Sequence, residues 1–109
     1  TGTEDEIAMI LLDLARRETA PRSDALAKSL ISSVGDAGLA LNSKPHRDGA
    51  FAVLKAADMP SVLIELGFLS SEADRKRLAS DAWSERAARA IVSALALWAD
   101  EETVRKASR

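Results

Sequence analysis

The stretch "PSVLIELGFLSS", Pro60 to Ser71, decides how the rest of the chain is read. Five of the six residues from Val62 to Gly67 suit a buried β-strand, and the sixth is Glu65. Apart from that carboxylate neither face of the run is polar, which predicts an interior strand covered on both sides. Side chains alternate along a strand, so Glu65 would share a face with Leu63 and Gly67. Gly67 has no side chain and would leave room beside the carboxylate for a ligand. Burying a carboxylate without partners costs several kcal/mol or forces its pKa upward. Two structural accounts of Glu65 follow: it pairs with an arginine, or it sits at a strand end that water reaches. The functional account is a general base placed towards the C-terminal end of the strand, where open α/β sheets bind ligands.

Working outward, "FAVLK", Phe51 to Lys55, reads as a second strand. "AADMP" between the two is too short for a helical crossover, so a direct pairing would be antiparallel. "LNSKPHRDGA" before them reads as a loop, from its Asn, Ser, Pro, Asp and Gly. Further upstream, Ile7, Ile10, Leu11 and Leu14 fall on one helical face, predicting a helix from about Glu4 to Arg17 capped by Thr3. Met9 and Leu12 give it a second apolar side. Pro21 is read as a break, and a second helix is expected from about Asp24 to Val34, stopped by Gly35 and Gly38. Downstream, "SSEADRKRLAS" predicts a short helix with Ser71 and Asp74 in capping-box spacing. A last helix starts near Asp81, with Trp83, Ala87, Ala90, Ile91, Ala94, Leu95 and Trp98 on its apolar face. The charged run after Ala99 reads as a frayed tail.

The expected order is therefore helix-helix-strand-strand-helix-helix, an α/β chain. Two strands cannot make a doubly covered sheet alone. The two-faced strand and the two-faced first helix both want partners, which points to the C-terminal part of a larger helix-flanked mixed-sheet domain or to an intimate oligomer. The same surfaces predict that the isolated chain is marginal or self-associates.

Bulk properties narrow the function. With 109 residues, one domain or part of one is the default. A formal net charge of −2 gives no footprint for nucleic acid or for an anionic membrane. There are no cysteines, hence no disulfides or thiolate metal sites, and the redox compartment stays open. No apolar run approaches a membrane span. "TGTEDE" at the start is no signal peptide.

The run "GAFAVLKAADMPSVLIELGFLSSEADRKRLASDAW", Gly49 to Trp83, resembles the last third of zinc-dependent N-acetylmuramoyl-L-alanine amidases. That family's pattern is a "GF-VLK" strand, a "PSVLVE-GFLSN" strand and an acidic helix ending in "LLAS". Two departures stand out: Ala50 separates Gly49 from Phe51, and Ser71 stands where Asn is usual, although either residue caps a helix. The flanking helices follow the family's layout more than its letters.

The resemblance implies a peptidoglycan hydrolase that cuts the bond between muramic acid and L-alanine, with Glu65 as the catalytic acid/base. It implies zinc in the complete domain, held by two His and one Glu in "GHGG" and "SIHAN"-like motifs that this chain lacks. Residues 1–98 would then be the C-terminal part of the catalytic domain and 99–109 its tail, inactive without the missing N-terminal half. No two ligand-type residues lie at ligand spacing beside Glu65, so the chain alone is not expected to hold zinc tightly. His46, in "KPHRDG", reads as a surface histidine. Arg75, Lys76 and Arg77 read as a solvated face, with contact to the acidic peptide stem as the alternative. In cell-separation members of the family a helix plugs the site until an activator protein removes it, and "TGTEDEIAMILLDLARRET" resembles the helix that follows or includes part of that insert. A periplasmic or extracellular location follows from the same resemblance. The competing classes are a non-catalytic cell-wall-binding module and a helical interaction module in which Glu65 is structural.

Overall fold

The computed structural model describes residues 1–49, 51, 54–55 and 57–108. Among them the regular elements are α1, Gly2–Asp36; α2, Glu72–Leu78; and α3, Asp81–Ala107. None of the described residues forms a β-strand. The α/β expectation, with its mixed sheet and its helix-helix-strand-strand-helix-helix order, is thus corrected: the regular elements among the described residues are helices alone. The candidate strand Phe51 to Lys55 lies partly outside the described residues; the Leu54 amide donates to the Phe51 carbonyl at 3.0 Å.

The reason lies in the neighbours. An apolar run states what a segment would bury, but a strand also needs a partner with free amides and carbonyls. The run from Ser61 to Phe68 lies beside helices, whose backbone groups are already used internally. Side chains tie it down instead: Ser23 Oγ accepts from the Ser61 amide at 2.9 Å, and Val62 packs on Leu26, Leu30 and Ala94.

The two helices expected on either side of Pro21 are one. Proline removes the bond its amide would have given to Arg17. Tertiary contacts hold the helix across that gap. The buried Thr19 hydroxyl donates to the Ala57 carbonyl at 3.1 Å, and the Trp98 indole donates to the Arg22 carbonyl at 3.0 Å. At the other end the helix stops as its glycines suggest. Gly38, at φ 76°, takes the left-handed position. Its amide donates to Gly35 at 3.0 Å and the Leu39 amide reaches back to Val34 at 3.2 Å. This is a Schellman closure, and Leu39 completes it by packing against Val34.

The core is the seam between α1 and α3. On α3 the buried residues Ala87, Ala90 and Ala94 follow helical spacing and let α1 approach closely. Leu26 and Leu30 pack on Ala94 with Ile91 and Trp98 around them; Leu39 packs on Ala87 and Ala90 with Trp83. Ser29 Oγ donates to the Ala94 carbonyl at 2.8 Å across the seam. Beyond Ala99, α3 continues through the residues read as a tail, because Glu102 turns inward and is bound by Arg22 at 2.6 Å and Arg105 at 2.9 Å.

Candidate functional site

Glu65 sits in the irregular segment, not in a buried strand, and its side chain is exposed. Its neighbours Leu63, Ile64, Leu66, Phe68 and Leu69 are exposed too, between 42% and 75%. Among the described residues the carboxylate meets neither a hydrogen-bond donor nor a cation, so the arginine pairing considered above is not made.

The span that carries Glu65 is pinned at both ends. At one end is the Ser61 amide on Ser23. At the other, the Phe68 amide donates to Asp74 Oδ2 at 2.9 Å. Ser71 Oγ accepts from the Asp74 amide at 3.2 Å, as the capping spacing predicts. The reciprocal half differs: the Asp74 carboxylate turns back past Ser71 to Phe68, while the Ser71 amide donates to the Phe68 carbonyl at 3.0 Å. Arg77 closes the group by donating to Asp74 Oδ1, and Arg75 binds the Leu69 carbonyl at 2.6 Å. The Phe68 amide chiefly, helped by Arg77, outweighs desolvation and holds the Asp74 carboxyl below its ordinary range.

Gly67 plays a different part from the one expected. A Cβ placed there would lie 3.2 Å from Asp74 Cβ and 3.4 Å from Cγ. The space beside the glycine is therefore taken by Asp74 and is not kept for a ligand.

Arg75, Lys76 and Arg77 do not form a free cationic face. Arg75 and Arg77 are engaged as described, and Lys76 lies 3.6 Å from Glu72. His46 is less isolated than its loop suggests. Its Nε2 lies 3.6 Å from Asp24 Oδ1, and with Asp48 it forms a group whose potential ligand atoms all lie within 4.8 Å of one another. This is the one such group among the described residues, and Glu65 is not part of it. All three residues are exposed, and no hydrogen bond orients the other imidazole nitrogen, as tight metal sites require.

Sequence reasoning missed Asp74 as an anchor and the approach of Asp24 to His46. The first was half visible in the capping spacing. The second left no local signal, since Asp24 lies on α1 and His46 in the loop.

Comparison with known proteins bears on this arrangement. The family model described as N-acetylmuramoyl-L-alanine amidase matches residues 4–96. The N-acetylmuramoyl-L-alanine amidase AmiC of Neisseria meningitidis is 33% identical over 93 residues, 85% of this chain and 22% of the relative. An uncharacterized cell wall amidase of Bacillus anthracis is 49% identical over 47 residues, 43% of this chain and 9% of the relative. The N-acetylmuramoyl-L-alanine amidase AmiA of Salmonella typhimurium is 26% identical over 95 residues, 87% of this chain and 32% of the relative. The chain therefore spans a third or less of the length of these relatives. No solved structure matches it.

Proposed function

The chain belongs to the N-acetylmuramoyl-L-alanine amidase family, and from that premise we propose that it is the C-terminal part of a peptidoglycan hydrolase domain, with Glu65 as its general acid/base. The bond cut joins the lactyl group of N-acetylmuramic acid to the L-alanine of the stem peptide. The observation that carries the proposal is the family match across "PSVLIELGFLSS", where the one ionisable side chain is also exposed and unpaired. Glu65 is exposed to water. In the reaction Glu65 takes a proton from the attacking water and returns it to the leaving amine.

Zinc belongs to the complete domain on ligands outside this chain, where it would supply Lewis-acid polarisation. By itself the chain is inactive. Its partners are peptidoglycan, the remainder of the domain and an activator of cell separation, and the exposed Ile7, Ile10 and Leu14 of α1 offer apolar surface to the last two. Its place is the periplasm or the cell exterior. Among the described residues no helix is long and apolar enough to cross a membrane.

The test is Glu65→Gln in an amidase domain that contains this chain. Muropeptide hydrolysis is expected to fall by about 10²–10⁴-fold at an unchanged melting temperature and zinc content. Full turnover at an unchanged melting temperature would remove Glu65 from the mechanism.

A further inference from the structure

The backbone around Glu65 is not held by a sheet. From Val62 to Gly67, no amide among the described residues donates a hydrogen bond. The first amide fixed after Glu65 is that of Phe68, and Asp74 fixes it. Three features make this an anchor and not a passing contact. Asp74 lies in the first turn of α2, with its own amide held by Ser71. Its second oxygen is held by Arg77, so the carboxylate cannot swing away from Phe68 freely. Gly67 lets the aspartate lie against the backbone, since any Cβ there would sit 3.2 Å from Asp74 Cβ.

We propose that Asp74 is a positioning residue for Glu65: seated against Gly67 and bound to the Phe68 amide, it fixes where the segment bearing the acid/base leaves α2. The inference rests on the reading of Glu65 given above. Asp74 touches no reacting atom; it acts through the backbone of Gly67 and Phe68. It accounts for three residues at once, a glycine after the glutamate, an aspartate early in the next helix and an arginine one turn on. A loosened anchor leaves Glu65 present but out of place, and a misplacement of about 1 Å costs on the order of 10²-fold in rate.

The experiment measures muropeptide hydrolysis and melting temperature in an amidase domain that contains this chain. Asp74→Ala is expected to lower kcat by about 10- to 100-fold, with KM little changed. Asp74→Asn keeps an acceptor oxygen for the Phe68 amide and is expected to restore most of that loss. Gly67→Ala pushes Asp74 aside and should reproduce the Asp74→Ala defect, with no further loss in the double variant. Should Asp74→Ala fail to fold, Asp74→Asn and Gly67→Ala carry the comparison. Wild-type kcat in both Asp74→Ala and Gly67→Ala would overturn the inference. So would a loss that follows melting temperature and is not rescued by asparagine, since that is a loss of fold stability alone. Glu65→Gln in the same series separates the two readings. If it lowers turnover while the Asp74→Ala and Gly67→Ala variants keep wild-type kcat, only the anchor falls. If it leaves turnover whole, the reading of Glu65 falls and takes the anchor with it.

Discussion

Leu30 and Leu66 are the same residue in comparably apolar runs, yet Leu30 is 7% exposed and Leu66 is 50% exposed. Leu30 lies on the second half of α1, opposite the alanines of α3, where two helices satisfy their own backbones and need only fitting side chains. Leu66 lies in a segment whose amides have no ladder to join, so its side chain has no wall to lean on. α1 repeats the contrast along its own length: Leu26 is 6% exposed, while Leu14, three turns earlier, is 54% exposed. Hydrophobic pattern states a demand for burial. Whether it is met depends on a partner whose backbone is already complete.

The sharpest way to break this comparison is truncation on both sides of it. Leu30→Ala should destabilise the chain by about 2–5 kcal/mol, the transfer loss plus a residual cavity. Leu66→Ala should stay within about 0.5 kcal/mol. Urea unfolding of the two variants at several protein concentrations checks both. Equal losses would mean that residues 62–69 are buried in solution and that the contrast fails.

This contrast also explains what the sequence made legible. The three helical regions were readable because helices carry their own hydrogen bonds, although α1 starts from a cap at Thr1 and not at Thr3. Gly38 closes α1, and Ser71 and Ser80 open α2 and α3. Continuation through Pro21 was not readable, because it rests on Thr19, Arg22 and Trp98 meeting residues 38 to 76 positions away. The run from Val62 to Gly67 was misread as a strand because an apolar run fits a strand only if a ladder exists. Of the candidate site, Glu65 was readable as an ionisable residue in an apolar run and by resemblance. Its exposure and the role of Asp74 were not, since both depend on how residues 67 and 68 meet α2.

A second test concerns charge instead of apolar surface. Glu102 is 8% exposed and bound by Arg22 and Arg105, whereas Glu72 pairs with Lys76 in the open. Glu102→Ala leaves two guanidinium groups without their acceptor and should cost about 1–3 kcal/mol, partly screened because both arginines keep some exposure. Glu72→Ala should cost about 0.5 kcal/mol or less. Thermal melts at low and high salt separate them, since only the exposed pair should lose its whole contribution on adding salt. A Glu102→Ala melt matching the wild type would show that α3 beyond Ala99 does not pack on α1.

The smallest expected effect tests the anchor at Phe68 without removing it. The folded Asp74 carboxyl lies below its ordinary range because the charged form accepts from the Phe68 amide and from Arg77. A depressed folded pKa means that the folded state holds the proton less tightly than the unfolded chain. Its contribution to stability is therefore complete above the unfolded value, at about pH 4, and is lost as pH falls through the lower folded value. Asp74→Asn has no such titration, while every other carboxylate is common to both proteins. The difference in melting temperature between wild type and Asp74→Asn should be constant near neutrality and should shrink only below about pH 4. The Phe68 amide proton shift in the wild type should titrate over the same interval and lie still in the variant. Parallel pH profiles with an unmoved Phe68 amide would mean that the carboxylate does not hold that backbone in solution, and Glu65 would then hang from Ser61 alone.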